Sequence, residues 1–326
     1  MNLFATILQA TAPVFGLLLV GAFFRSRNWL NPDTDQRIMQ LLLNVFYPAL
    51  IVTSIIGNKA LSTGGNVIAA PIIGAVTILL GLFFCLKLSP LFGMKLGSDQ
   101  RTFAFSAGIY NYGYTPIYLI QSLYPDSDMI GVLFVHNLGV ELVFWSIGIL
   151  ILTGGLGKNW AKKLLSPPLL GLFLGLFMNL SGLHSWLSGD APVLFSASYK
   201  VGCQIVSALG GCAVTLGIVV CGSSLWDAAK STCLWKQLNV SLAACVLRLG
   251  LLPLFFLAIA VWAPISHELK VVVIIQAAMP SALFPFVLIR YYGANSDIGL
   301  RTVLSTTLVS LITIPLWILL GLWLIA

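Results

Sequence analysis

Two prolines interrupt an apolar stretch near the end of the chain, and they mark a place where backbone groups are free to bind a ligand. Pro280 and Pro285 lie in the run from Gln276 to Gly293, which is otherwise apolar enough to cross a bilayer. Each proline lacks a backbone donor and clashes with the carbonyl one turn earlier, at a cost of roughly 3 kcal/mol in a helix interior. Broken backbone at membrane depth persists only where protein or a watery cavity satisfies the freed groups. A binding site is therefore expected here; an ordinary kinked helix is the alternative, because proline is common in membrane helices.

A second interrupted segment runs from Ser106 to Tyr124 and carries Asn111, Gly113 and Pro116. A pair of interrupted apolar segments is the best sequence indicator of the binding site of a transporter. At such breaks the N-terminal end of a half-helix presents unpaired N–H groups that favour an anion, whereas a carbonyl end favours a cation. Asn111 could donate its amide to a carboxylate, or it could cap freed backbone.

The same segment is rich in tyrosine, with Tyr110, Tyr112, Tyr114 and Tyr118 in close succession. These rings could line a pocket for a flat or ring-bearing ligand, but aromatic packing is the commoner use of such residues. The sequence leaves both interpretations open.

Among the ionisable side chains, we single out three that lie well inside apolar runs. Glu141 lies in the fifth run, and a charge at such depth is a functional hypothesis because it is rare there. It could carry a coupling proton or pair with a buried cation. Arg248, in the eighth run, could pair with a buried carboxylate or extend toward the cytoplasmic face. His136 is expected nearer the outer end, as an interfacial histidine.

Residues for covalent or metal chemistry are scattered. The three histidines (His136, His184 and His267) fall in separate regions, and the HELK sequence at His267 lacks the second histidine of HExxH. The chain contains no GxxxxGK[ST] phosphate loop. An intramembrane enzyme and an ATP-driven pump are therefore disfavoured. No catalytic residue, metal ligand or cofactor is expected, although a coupling proton or sodium ion is compatible with the sequence.

Composition identifies the class of protein. Of the 326 residues, 59% are hydrophobic and only 8% are charged, whereas soluble domains have about 25% charged residues. The chain is therefore expected to be an integral membrane protein with the lipid bilayer as a partner. The net charge of +7 does not indicate nucleic acid, because the basic residues sit in short loops between apolar runs.

Apolar runs of about 20 residues, the length of a spanning helix, recur ten times in the chain. We number them as segments one to ten. Their predicted limits are 3–24, 37–56, 66–88, 99–123, 128–152, 166–182, 198–222, 238–263, 267–292 and 298–325.

The distribution of basic residues predicts the orientation. Connections after odd-numbered segments carry thirteen basic residues, including Lys158, Lys162, Lys163 and Lys236, and the others carry only three. Because basic loops stay in the cytoplasm, both termini are expected on the extracytoplasmic side.

The connection between Thr153 and Pro168 divides the ten segments into two sets of five. Since five is odd, two homologous halves would lie upside down relative to each other in the membrane, which is the inverted-repeat plan. The interrupted segments are then the fourth of each half. We predict one domain over 1–326, with a first repeat at 1–153 and a second at 166–326.

At these residues the chain resembles the auxin efflux carrier family, which includes the plant PIN exporters and belongs to a larger group with the bile acid:sodium symporters. The resemblance covers nearly the whole chain. Its parts are LLLNVFYPALI with Asn44, NYGYTPIY, KKLLSPPLLG, LGIVVCGSSL, RLGLLP with Arg248, QAAMPSALFPFVLIRYYG, and LSTTLVSLITIPLW.

The resemblance implies a scaffold of segments 1, 2, 6 and 7 and a transport domain of segments 3–5 and 8–10, in which the fourth and ninth segments cross. It also implies an elevator-type, alternating-access carrier of a small organic anion or weak carboxylic acid, in a bacterial inner membrane; a sodium-coupled carrier of a bile-acid-like anion is the alternative. A homodimer through the scaffold segments is compatible with this plan. The candidate substrate-binding residues are Asn44, Asn111, Tyr112, Gly113, Pro116, Pro280, Ser281, Phe284 and Pro285, and the coupling candidates are Glu141 and Arg248.

The chain departs from the family pattern at both breaks. The family usually reads Asn-x-Gly-x-x-Gly-x-Pro in the fourth segment, whereas Tyr118 stands at that proline position and Pro116 at a glycine position. In the ninth segment, Phe284 replaces an asparagine common in bacterial members. The resemblance therefore implies a site that is more apolar on that side, and it does not transfer a substrate.

Overall fold

The computed structural model describes residues 3–62, 65–154, 167–231 and 238–326, and these ranges fold almost entirely into helices. Their only β pairing is one isolated bridge, described below. The principal helices are α1 Leu3–Ser26, α2 Pro32–Ile55, α3 Gly65–Leu88, α4 Ser98–Gly108, α5 Tyr114–Leu123, α6 Met129–Thr153, α7 Pro167–Leu180, α8 Val193–Ser231, α9 Leu238–Trp262, α10 His267–Ala278, α11 Phe284–Tyr291 and α12 Ser296–Ile325.

Seven of the helical stretches are long and apolar enough to cross a membrane, and an eighth is counted if α7 is joined to the helix Leu183–Asp190, which is bent from it by 74°. The prediction of an all-α integral membrane protein is confirmed at this level. The limits largely agree with the sequence, except that the seventh segment extends over Val193–Ser231, 39 residues.

The two remaining segments, the fourth and the ninth, are each divided in two, as the prolines predict. Residues 109–113 separate α4 from α5, and residues 279–283 separate α10 from α11; we call these the first break and the second break. Pro116 is the third residue of α5 and Pro285 the second residue of α11. A proline fits there because the first N–H groups of a helix have no partner within the helix.

Prolines inside other helices are accommodated differently. Wider π-helical turns at Leu42–Phe46 and Cys245–Leu251 precede Pro48 and Pro253. Pro253 has no N–H to offer to the carbonyl of Leu249, and the indole N–H of Trp317 on α12 donates to that oxygen instead, at 2.6 Å. The carbonyl freed by the proline is thereby satisfied within the protein, as the bilayer requires.

Helices pack closely where glycines meet backbone. A Cβ atom at Gly81 on α3 would overlap the carbonyl oxygen of Gly108, the last residue of α4. A Cβ at Gly222 on α8 would overlap the carbonyl oxygen of Leu18 on α1. Small residues allow this approach, which supplies packing energy where lipid supplies no hydrophobic driving force between helices.

One end of α1 is fixed by an ionic network. Arg25 on α1 pairs bidentately with Asp227 on α8, and its Nη1 lies 3.4 Å from Oδ2 of Asp35 on α2. Ser223 on α8 donates to the same Asp35 oxygen at 2.8 Å. These contacts join α1, α2 and α8 at the C-terminal end of α1.

Some residues used for the sequence predictions lie outside the described ranges. They include Lys158, Lys162, Lys163 and Lys236, and most of the connection between the two proposed halves, residues 155–166.

Candidate functional site

The two breaks lie directly against each other. Tyr110 and Ser281 form an isolated antiparallel bridge. The N–H of Asn111 donates to the carbonyl of Pro280 at 2.7 Å, and the N–H of Ala282 donates to the carbonyl of Ile109 at 3.0 Å. Each break therefore satisfies backbone groups that the other break frees, and this accounts for unwound chain in an apolar environment.

Polar side chains from the neighbouring helices hold both breaks from the side. Thr306 on α12 accepts the N–H of Ser281 at 3.2 Å. Asn137 on α6 donates to the carbonyl of Tyr112 at 2.9 Å, and it also accepts from Gln276 on α10 at 3.2 Å. The breaks are thus anchored to α6 and α12 by hydrogen bonds rather than by packing alone.

A small cavity of about 40 Å³ lies between the breaks on one side and α1 and α8 on the other. Its polar lining consists of amide, hydroxyl and thiol groups, and none of its lining residues carries a formal charge. The lining residues are Val14, Phe15, Leu18, Asn111, Tyr114, Thr115, Ile218, Cys221, Leu225, Pro280, Ser281, Leu283, Val303, Thr307, Ser310 and Ile314.

Two features of this cavity suit an anion. It lies at the N-terminal end of α5, where no side chain caps the helix at Gly113, and the first N–H groups of a helix have no partner within it and carry the positive end of the dipole. Ser281 lines the cavity, and its buried hydroxyl has no hydrogen-bond partner among the described residues. Buried polar groups are normally satisfied, so this hydroxyl indicates a ligand or water position.

Asn111 stands beside these groups. Its side-chain amide donates to the hydroxyl of Thr115 at 3.0 Å, across the first turn of α5. One of its two amide hydrogens is used in this way, which leaves the second for a ligand. The amide of Asn111 therefore bonds a neighbouring side chain rather than freed backbone, and its role in ligand binding stays a prediction.

The size of the cavity limits what it holds in this conformation. A water molecule needs roughly 10–15 Å³ on this measure, so about 40 Å³ accommodates two or three waters or one carboxylate group. Pockets for whole organic ligands are roughly 300–1,000 Å³. The helices and breaks that line the cavity must therefore separate before a larger molecule enters.

On the opposite side of the first break, Glu141 is held by protein groups. Its carboxylate accepts the hydroxyl of Tyr112 at 2.9 Å and the indole N–H of Trp145 at 2.7 Å. Neither Tyr112 nor Glu141 lines the cavity. Tyr112 thus connects the break to α6 through its side chain, while its neighbour Asn111 faces the cavity.

Both roles that the sequence suggested for Arg248 are wrong. The side chain is fully buried, which excludes extension toward the cytoplasmic face, and no carboxylate of the described chain lies within ion-pair distance of it. It donates instead to the carbonyl of Ala277 at 3.3 Å. His136 is also fully buried rather than interfacial, with Nδ1 3.3 Å from the side-chain oxygen of Asn137.

The structure brings together only part of the predicted site. Asn111, Pro280 and Ser281 line the cavity, and Gly113, Pro116 and Pro285 shape the breaks around it. Phe284 packs against Phe144 and Trp145, with both ring-centroid distances 6.0 Å. Asn44 is exposed and donates to the carbonyl of Gln40 of its own helix at 2.7 Å.

Several contributing residues were not singled out from the sequence. They are Thr115 and Thr307 in the cavity wall, and Asn137 and Gln276 beside the breaks. Asn137 and Gln276 carried a usable signal, because an amide side chain in the middle of an apolar run needs a partner inside the membrane.

Comparison with known proteins identifies the family. The family described as membrane transport protein matches residues 6–318 of this chain. The chain belongs to this family, that of the PIN-like auxin efflux carriers.

Its relatives are transporters of the same length. An uncharacterized transporter of Methanothermobacter thermautotrophicus is 25% identical over 95% of this chain and 96% of its own. The uncharacterized transporter YfdV of Escherichia coli K12 is 22% identical over 94% of this chain and 95% of its own, and YfdV of Shigella flexneri has the same values. Membership makes this chain a multi-pass membrane transporter, and transporters of this family are not enzymes.

Proposed function

We propose that this transporter is a secondary carrier of a small organic anion or weak carboxylic acid. The observation that carries the proposal is the cavity shared by the N-terminal end of α5, the amide of Asn111 and the unpartnered hydroxyl of Ser281. These are hydrogen-bond donors of residues around one small volume, and a carboxylate accepts from two or three such donors.

The absence of a formal charge from the cavity lining suits a carrier rather than a tight binder. A helix dipole contributes roughly 0.3–1 kcal/mol to the binding of an anion near the helix end, and a hydrogen bond from a neutral donor to the anion contributes about 1.5–3 kcal/mol. The bound anion is therefore able to leave when the cavity opens on the other side, which a carrier requires.

The boundary of the cavity supports alternating access. Close packing links α1 with α8, and α2 with α7 and α8, through Gly222, Gly171 and Gly210. These are the predicted scaffold segments, and the cavity lies where two of them face the breaks. An elevator-type movement of the breaks and their supporting helices along α1 and α8 would expose the cavity to one side of the membrane and then to the other.

The support of the breaks also favours the inverted-repeat plan. Each break is held by a polar side chain from the helix that follows it in the same proposed half, Asn137 of α6 for the first and Thr306 of α12 for the second. Asn137 donates to a carbonyl of the first break, whereas Thr306 accepts an N–H of the second break. We propose on this basis two halves of five segments in opposite orientation. The distribution of basic residues supports the proposal that both termini are extracytoplasmic, and the family resemblance supports a bacterial inner membrane.

The proposal is tested with purified protein in liposomes loaded with a panel of unlabelled carboxylic acids and supplied with their tritiated forms outside. The expected result is exchange of at least one acid, recovered chemically unchanged, above the level of protein-free liposomes. Recovery of a modified compound would indicate an enzyme. Exchange of neutral analogues but of no acid would contradict the anion proposal.

A binding screen in detergent complements the exchange assay. A carboxylate at a hundredfold excess over its dissociation constant raises the free energy of unfolding by about 2.7 kcal/mol. The screen is run with sodium and with choline as the cation, so that a sodium-coupled carrier is recognised by a stabilisation that needs sodium.

A further inference from the structure

Arg248 is a charged side chain with no exposure at all, in the wider turn of α9 between Cys245 and Leu251. A charge inside a membrane protein is costly and is retained where it interacts with other groups of the protein. The turn is held in place by the bond from Trp317 to the carbonyl of Leu249, the residue directly after Arg248. The position of the guanidinium is thus fixed by the backbone around it.

The contacts of the guanidinium are to a carbonyl and to two aromatic rings. Its Nη2 donates to the carbonyl of Ala277 at 3.3 Å. Its Cζ lies 5.2 Å from the ring centroids of both Tyr110 and Phe256. Nε and Nη1 have no hydrogen-bond partner in the described part of the chain, and ring faces at this distance attract a cation by cation–π interaction.

Ala277 lies in the last turn of α10, immediately before the second break. Carbonyl groups at a helix C-terminus are unpaired and carry the negative end of the helix dipole. In transporters with interrupted helices, such carbonyl ends coordinate coupling cations. Here the cation at the carbonyl of Ala277 is the guanidinium of Arg248, a group of the protein itself.

Tyr110 lies in the first break, where it pairs with Ser281 of the second. Its hydroxyl is fixed by the hydroxyl of Thr77 on α3, at 2.8 Å. The guanidinium therefore touches one residue of the first break and the carbonyl end that leads into the second.

We infer that Arg248 is a positioning residue that supplies the fixed positive charge at the carbonyl end of α10, in place of a bound cation, and holds the two breaks together. The inference rests on the proposed function only in taking the breaks as the binding site. It predicts that the breaks keep their geometry without sodium, and that loss of the guanidinium loosens both of them.

The test is hydrogen–deuterium exchange of residues 109–113 and 279–283 in the full-length protein in detergent. Arg248→Ala is expected to raise exchange in both breaks about tenfold, the factor for one lost hydrogen bond to a charged group. Adding guanidinium chloride at a non-denaturing concentration is expected to restore protection, because the free ion fits the vacated space. Wild-type protection is expected to be equal in sodium and in choline.

Two controls separate this role from general stabilisation. Ile55→Ala removes a fully buried side chain that packs against Gly175, and guanidinium should not restore the protection of the breaks in that variant. Arg37→Ala removes an exposed arginine and should change neither break. Arg248→Lys keeps a charged group that can donate to the carbonyl of Ala277 but has no planar group to stack on the rings. Its rate of hydrogen–deuterium exchange in the breaks should therefore lie between those of wild type and Arg248→Ala.

The inference would be overturned if Arg248→Ala left hydrogen–deuterium exchange unchanged in both breaks. It would also be overturned if guanidinium restored protection equally well in Ile55→Ala. Wild-type protection that requires sodium would also overturn it. If Arg248→Ala fails to fold, Arg248→Lys decides, since wild-type exchange in that variant contradicts the stacking role. The hydrogen–deuterium exchange experiment uses no substrate. If the liposome assay shows no carboxylate transport, the proposed function is refuted, but the role inferred for Arg248 is not affected.

Discussion

The hydroxyl of Tyr112 donates a 2.9 Å hydrogen bond to Oε1 of Glu141, and this bond ties the first break to α6. The carboxylate also accepts from Trp145, one turn later on the same helix. Glu141 thus faces protein groups, as expected for a charged residue inside a membrane segment.

Glu141→Ala should lower the free energy of unfolding by about 1–3 kcal/mol, because the buried hydroxyl of Tyr112 loses its acceptor. Glu141→Gln keeps an oxygen acceptor, so its free energy of unfolding should be closer to that of wild type. The same variant should change the pH dependence of transport if the carboxylate carries a proton. Thermal unfolding in detergent and exchange in liposomes across pH measure the two effects. If Glu141→Gln leaves expression, folding and pH dependence unaltered, the coupling role is wrong.

Asn111→Ala should weaken the binding of a carboxylate by roughly ten- to a hundredfold, since a hydrogen bond to a charged group contributes about 1.5–3 kcal/mol. The fold should persist, because the backbone N–H of residue 111 still reaches the carbonyl of Pro280. Titration of an acid and its methyl ester checks this, the ester binding weakly and responding less to the substitution. Unchanged affinities for both in a folded variant would place the anion elsewhere.

Gly217→Ala should slow transport, because the ring of Tyr114 lies against Gly217 and a Cβ there would be 2.6 Å from ring carbons. In the proposed movement the breaks travel along α8, so the added methyl group obstructs the ring of Tyr114. An overpacking cost of about 1–3 kcal/mol in the barrier would lower the exchange rate by roughly fivefold to a hundredfold. Gly211→Ala on the same helix is the matched control, since a Cβ at Gly211 meets nothing within 4 Å. A Gly217→Ala protein as fast as the control would show that this contact does not limit the movement.

Arg25→Ala should destabilise the end of α1 that contacts α2 and α8. The ion pair with Asp227 is half-exposed on the Asp227 side, whereas Arg25 and Asp35 are nearly buried, so we expect about 1–3 kcal/mol, between exposed and buried pairs. Thermal unfolding at low and high salt measures this loss of stability, and Arg37→Ala, which removes an exposed arginine, is the control variant. Equal unfolding of the two variants would show that the network contributes little.

Both termini should be extracytoplasmic, given thirteen basic residues in one set of connections and three in the other. Single cysteines added at either end of a cysteine-free variant should react with an impermeant maleimide in intact cells. Protection of either end in cells, with reaction after lysis, would contradict the orientation and the count of ten segments.

The sequence alone determined the features that depend on local chemistry. Long apolar runs specify membrane helices because the bilayer leaves backbone groups no other partner. Pro280, together with Pro116 and Pro285, located both breaks, because a missing N–H is a property of the residue itself. The membrane transport family could likewise be recognised from motifs in their order along the chain.

The tertiary structure alone decided which groups satisfy one another across the breaks. Asn111 and Pro280 are far apart in sequence, yet their backbone groups meet at 2.7 Å, and no local pattern encodes that register. The same holds for Arg248. Its place in the sequence suggested a carboxylate partner, but its actual partners are the carbonyl of Ala277 and the ring of Tyr110. A buried polar side chain needs some partner, but the identity of that partner is set by how closely the helices approach, and this is fixed by packing around the whole molecule.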